Sequence, residues 1–187
     1  MIENRIKKIA LLNIIFHCNL DSIYNLIIKI ESNLNDELYD NIEIDNLFKL
    51  NKELDIKIII SNSQKNITAI SFFLTTFSCL ENHFNRVKNL FDIKEKKIIE
   101  ILKILQNKFS LINLNNQNWE KIHFFKKLRN HIVHHNENID LIQVYLKIYQ
   151  NNYLTINKFN EIELDLKFVK LFIKDIYNIF NIKSSIQ

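Results

Sequence analysis

The chain of 187 residues contains no glycine and no proline. Without glycine, every position carries the Cβ that penalises a left-handed backbone. Without proline, no ring is available to stop a helix or stiffen a loop. Glycine caps and proline breaks are therefore excluded, and helix ends and tight turns must be made another way. Asparagine tolerates the left-handed region better than most residues and is the expected substitute. Cysteine occurs only at Cys18 and Cys79, without metal-ligand spacing, so both are expected to be reduced rather than paired. The scarcity of Gly, Ala and Arg beside abundant Ile, Asn and Lys matches the coding bias of an AT-rich genome. No uninterrupted run approaches the roughly 18 apolar residues of a membrane span. Arg5 to Phe16 imitates a secretion leader, with Lys7-Lys8 followed by IALLNIIF. Asn13 interrupts the run, no small-residue cleavage site follows, and His17 stands where a lipoprotein-type site before Cys18 needs a small residue. The segment is expected to be an amphipathic core helix of a cytoplasmic protein with no membrane partner.

The composition that remains is 47% hydrophobic and 25% charged, which fits one globular domain over 1–187 with a sizeable core. A net charge of +4 is compatible with a polyanionic partner without requiring one.

Apolar residues recur at helical spacing over 3–18, and Asp21 or Ser22 can cap a second helix to Ser32. Residues 33–65 are the least legible, reading as irregular or inserted, with a short helix and an extended piece both open. From Asn66 to Phe91 the stretch is apolar nearly all round, which predicts a central buried helix. Asp92 is read as starting a helix over 93–109, and Asn118 as capping another over 119–135. Asn136 to Leu141 is expected to break or bend the chain. Tyr153–Ile156 and Glu161–Leu164 alternate around Asn157 and Asn160, which predicts a small hairpin. Asp165 then caps a last helix to Ile182, with a stripe of Phe168, Leu171, Phe172, Ile176 and Ile179. The expected fold class is all-α: an antiparallel bundle of five or six helices with a β-hairpin before the C-terminal helix.

The segment Arg129-Asn130-His131-Ile132-Val133-His134 carries the chemistry. Arginine is a permanent planar cation that grips phosphate through parallel hydrogen bonds. Histidine accepts or donates a proton near neutrality. On an ideal helix Lys126, Asn130 and His134 form one polar ridge, with Phe125, Leu128 and Ile132 directed to the core. Arg129 lies about 140° around from His134. The two therefore converge on one phosphate only if the helix unwinds near His134 or a second copy supplies the missing half across a two-fold axis. Spacing alone leaves site and coincidence level, because a helix end rich in His and Lys is also what the helix dipole favours.

LRNHIVHHNENI after an all-helical body resembles the HEPN superfamily, the higher eukaryotes and prokaryotes nucleotide-binding domains. Its ribonuclease members share an Arg, a polar residue directly after it, and a His five to seven positions from the Arg; Arg129, Asn130 and His134 match. The likeness is specific over about 119–140 and looser over 66–182. It implies a metal-independent endoribonuclease: the ribose 2′-OH attacks the adjacent phosphorus, leaving a 2′,3′-cyclic phosphate and a 5′-OH. His134 would move the proton, Arg129 would stabilise the phosphorane oxygens, and Asn130 would orient His134 or hold a phosphate oxygen. His135 and Asn136 would support them, with Glu81 of the buried helix, helped by Asn82, anchoring Arg129. The competing reading of Glu81 is a wet helix face. Lys126, Lys127 and His131 would contact RNA. No cofactor is implied. The resemblance also implies a homodimer with the two motifs facing, a toxin or abortive-infection role against phage, and an antitoxin or defence-system partner. Asn136 departs from a branch that carries Tyr two residues after the His, which argues against regulation by nucleotide transfer there. The alternatives are a non-catalytic module that binds RNA or protein, and a helical interaction protein with an accidental motif.

Weaker readings remain. His131 and His135 at i, i+4 could hold a metal with Glu137 or Asp140, although surface histidines without a carboxylate shell are commoner. His123 reads as an ordinary interfacial histidine, and Trp119 and the Phe-rich stripes as core rather than base-stacking platforms.

Overall fold

The computed structural model describes residues 2–39, 50–109, 112, 114–134, 140, 142–144, 146 and 153–180. The fold is all-α with a small antiparallel hairpin before the C-terminal helix, as the periodicity predicts. The elements are α1 (Ile2–Tyr39), α2 (Leu50–Leu90), α3 (Ile98–Asn107), α4 (Asn116–His134), β1 (Leu154–Ile156), β2 (Ile162–Leu164) and α5 (Leu166–Ile179). Asp140, Ile142–Val144 and Leu146 are also helical.

Two of these helices are longer than expected. No helix starts at Asp21 or Ser22, because α1 runs through both. Instead Asp21 accepts a 2.5 Å hydrogen bond from the Tyr177 hydroxyl, and Ser22 donates to the Cys18 carbonyl one turn back. The ambiguous segment 33–65 is taken up by the end of α1 and the start of α2, apart from 40–49, which lie outside the described residues. With no glycine or proline to stop it, a weakly patterned stretch continues a helix already nucleated.

Asp92 does not start a helix. It takes a left-handed φ of 54° just past α2, the position glycine would ordinarily fill. Ile93–Lys97 is then non-helical and α3 begins at Ile98, later than expected. The cap of α4 is Asn115 rather than Asn118: its Oδ1 accepts from the Asn118 backbone N–H at 2.8 Å. Asp165 caps α5 as expected, accepting from Lys167 N at 2.7 Å.

The packing directions follow from the contacts. Phe16 stacks on His83 and Arg5 pairs with Asp92, so α1 and α2 run antiparallel. Lys170 to Glu31 and Tyr177 to Asp21 set α5 antiparallel to α1. Lys121 to Asp175, with Phe125 against Phe172, sets α4 antiparallel to α5. At the centre, Phe73, Phe77, Phe125, Phe168 and Phe172 pack with ring centroids 4.4 to 6.4 Å apart. Such aromatic pairs each add about 1 kcal/mol beyond the area they bury. The α5 stripe is broader than predicted. Val169, Ile173 and Tyr177 are buried with it, whereas Leu171 is exposed.

The hairpin pairs Leu154 with Leu164 and Ile156 with Ile162. Asn66 on α2 accepts from the Leu164 backbone N–H at 2.8 Å, which satisfies an edge-strand donor and fixes the hairpin to the long helix. Both cysteines are free. Within α1, Lys7–Asn33 is long and apolar enough to cross a membrane by length and composition, a property the interrupted run concealed. The same helix sends Phe16, Leu20 and Ile27 into the core and leaves Leu11, Ile14 and Leu26 exposed.

Candidate functional site

The motif occupies the last two turns of α4. Ile122, Phe124, Phe125 and Leu128 bury the other side of this helix against α2, α3 and α5. That packing fixes the rotation of α4 and leaves Arg129 and Asn130 half-buried and His134 exposed at its end.

Arg129 Nη1 lies 3.2 Å from Asn130 Oδ1 and 3.3 Å from His134 Nε2. The three motif residues thus form one connected set within a single chain. The helix does not unwind to achieve this, since α4 extends through His134. Five residues rise about 7.5 Å along an α-helix; the arginine side chain is long enough to lie along the surface and cover that distance.

Guanidinium only donates, so in this contact His134 Nε2 is placed as the acceptor. Both N–H bonds of Nη1 are occupied, by Asn130 and His134. The three N–H groups on Nε and Nη2 make no contact with other described residues. Nε and Nη2 form the edge that binds an oxyanion through two parallel hydrogen bonds.

Lys126 and Lys127 are half-buried on the same helix. Burial lowers the pKa of His123, and the positive fields of Lys126, Lys103 and Lys127 lower it further, against a smaller opposing effect of Glu100. Three lysines from α3 and α4 therefore generate one positive field around His123.

Two expected roles are corrected. His131 is not an open RNA contact: it is buried at 7% exposure, and its Nε2 lies 3.3 Å from the Asn160 carbonyl oxygen in the hairpin loop. One position back from Ile132, it falls on the packed side of α4. Glu81 does not anchor Arg129, whose contacts are Asn130 and His134. Asn82, beside Glu81, lines a groove toward α1. His135, Asn136 and Glu137 lie outside the described residues, and Asp140 is exposed. Among the described residues no group of three His, Cys, Asp or Glu side chains is placed to hold a metal.

The contact between His131 and the hairpin loop was not legible in the sequence. It joins residues 29 positions apart, and no periodicity registers such a pairing.

The α1–α2 groove, about 630 Å³, is lined by Phe16, Cys79, His83 and Arg86 among others and includes no residue of α4. Burial, with the nearby His17 and Arg86, lowers the His83 pKa to about 4. That ring is stacked on Phe16 at 4.3 Å and is a packing element.

Compared with protein families, curated proteins and solved structures, the chain matches none.

Proposed function

We propose that this protein is a metal-independent endoribonuclease of the HEPN kind. The observation that supports it is the 3.3 Å approach of Arg129 Nη1 to His134 Nε2 at the accessible end of α4. Among the described residues, Nε and Nη2 of the same guanidinium make no further contact and can meet an oxyanion.

In the proposed reaction His134 Nε2 exchanges its contact with Arg129 for the ribose 2′-OH and takes that proton as the oxygen attacks the adjacent phosphorus. The P–O2′ bond forms, the P–O5′ bond breaks, and the proton passes to the departing 5′-oxygen. Arg129 donates from Nε and Nη2 to the phosphorane oxygens, where charge accumulates. Asn130 holds Nη1 and fixes the guanidinium plane. Lys126 and Lys127 draw in the phosphate backbone in a salt-dependent way. The nucleophile belongs to the RNA, so the step needs neither a metal nor a water molecule.

The role we propose is that of a cytoplasmic toxin or abortive-infection effector, acting as a homodimer and restrained by an antitoxin or defence-system partner. A second reading, a non-catalytic module that binds RNA or protein, is favoured by one observation: Leu11 and Ile14 of α1 are 57% and 59% exposed. Such an apolar face suits a protein contact.

Incubation of the purified protein with mixed RNA in EDTA tests the proposal. Cleavage to 2′,3′-cyclic phosphate ends, lost in both Arg129→Ala and His134→Ala, is the expected result. RNA binding without cleavage would leave the second reading. Neither binding nor cleavage would set both RNA readings aside.

A further inference from the structure

Phe159 is the most exposed large hydrophobic side chain among the described residues, at 71%. An isolated apolar residue at the surface needs no explanation by itself. Three further observations give this one a role.

The first is rigidity. Phe159 sits in the loop between β1 and β2. Asn157 Oδ1 accepts from the Phe159 and Glu161 backbone N–H groups at 2.9 and 3.1 Å. Asn160 N donates to the Asn157 carbonyl and takes a left-handed φ of 63°. The aromatic is therefore presented on a built turn, and ordering it on binding costs little.

The second is location. His131 Nε2 lies 3.3 Å from the Asn160 carbonyl oxygen, which ties this turn to α4. His131 directly follows Asn130 and precedes His134 by three residues, about 4.5 Å of helix rise. A loop distant in sequence is thus pinned to the last turns of α4, the segment that carries Arg129 and His134.

The third is charge. Lys158 Nζ stands 5.1 Å from the Phe159 ring centroid. An aromatic face next to an ammonium group, on a fixed turn, is the pairing that stacks a base and receives the phosphate attached to it.

We propose that Phe159 is a stacking platform for one base of single-stranded RNA flanking the scissile linkage, with Lys158 on a neighbouring phosphate. The inference rests on the RNA-cleaving reading and narrows its substrate class. Only an unpaired nucleotide can splay its base onto a protein ring; in an A-form duplex the bases stay stacked on each other. The site is therefore built for loops, bulges and single strands. Phe159 is a binding residue and takes no part in proton transfer.

The test uses the full chain in EDTA with two probes of one mixed sequence: a fluorescein-labelled single-stranded RNA, and its all-2′-O-methyl analogue, which lacks the nucleophile. Binding of the analogue is read by anisotropy, cleavage of the RNA on gels. Phe159→Ala is expected to weaken binding of the analogue roughly 5- to 100-fold, Phe159→Trp to restore it, and Lys158→Gln to flatten its salt dependence. Affinity for the matching duplex is expected to stay unchanged in Phe159→Ala. If the parent protein cuts RNA while Phe159→Ala binds and cuts as the parent does, the platform is overturned and the ribonuclease reading stands. An equal loss for single strand and duplex overturns it as well. If the parent never cuts but the single-strand loss appears, the stacking site holds and catalysis fails. No RNA binding by the parent overturns both.

Discussion

The buried imidazole of His83 sets a measurable limit on the acid stability of this fold. His83 is 8% exposed and lies face to face with Phe16, the planes 12° apart. Burial is the main reason its pKa falls from 6.5 to about 4, with His17 on α1 and Arg86 on α2 adding repulsion. Among the described residues no carboxylate offsets this at His83, whereas Asp21 partly offsets the lowering at His17. Below pH 6.5 the unfolded chain binds this proton and the folded chain does not, so stability rises with pH in that window. The contribution is fully present above pH 6.5 and is lost as the pH falls toward and through about 4. One tenfold step in proton affinity is about 1.4 kcal/mol, so His83 withdraws about 2 kcal/mol by pH 5 and about 3 kcal/mol by pH 4. Phe in place of His83 keeps a ring on Phe16 without the titration. Urea unfolding followed by circular dichroism at pH 7, 5 and 4 should show the parent protein losing about 3 kcal/mol more than His83→Phe across that range. Curves for the two proteins that run parallel within about 0.5 kcal/mol would refute the reasoning, and with it the packing role of this ring.

Phe73 is fully buried and its ring packs on Phe77, Phe168 and Phe172, so Phe73→Ala should cost about 3 to 5 kcal/mol in urea unfolding. Asn66→Ala removes the acceptor for Leu164 N; a loss of about 1 kcal/mol and faster amide exchange at Leu164 are expected, and unchanged exchange would dissociate the hairpin from α2. Arg129→Lys keeps the charge but cannot hold Asn130 and grip a phosphate with two parallel hydrogen bonds; RNA cleavage should fall roughly 100-fold or more while RNA affinity changes little. Equal activity of Lys and Arg at this position would argue against a bidentate oxyanion contact.

The fold class, the hairpin, the Asp165 cap and the burial of the α4 core face were legible because each rests on local periodicity or on a side chain reaching its own backbone. Element boundaries were less so, for a reason particular to this composition. Sequence reading places boundaries at glycine and proline, and here there are none. Asp21 and Ser22 have the chemistry of caps, but both sit inside one long helix, and Asp21 is engaged by Tyr177, 156 positions away. Asp92 has the look of a helix start and acts as a helix stop. The site was half legible. Residue types and spacing singled out Arg129, Asn130 and His134, while the burial of His131 and the pairing of Arg129 with its own helix rather than with Glu81 depended on how α4 rotates against α2 and on where the hairpin loop lands.

The angular separation of about 140° between Arg129 and His134 on an ideal helix treats side chains as points on the helix backbone. It holds for short side chains, and for pairs whose tips must meet head-on. Arginine violates both conditions, because its charged end lies several bonds from Cα and leans along the helix surface. The 3.3 Å contact is the consequence: the chain does not have to unwind, and it does not need a second copy, to bring guanidinium and imidazole together. A dimer, if it forms, would then duplicate a complete set of groups rather than complete a partial one. Mixing Arg129→Ala with His134→Ala distinguishes the two cases. A site shared between chains regains activity in the mixed dimer, where one interface half can carry both intact groups. A site complete within each chain does not, because no chain in the mixture holds both, and that is the outcome the geometry of α4 requires.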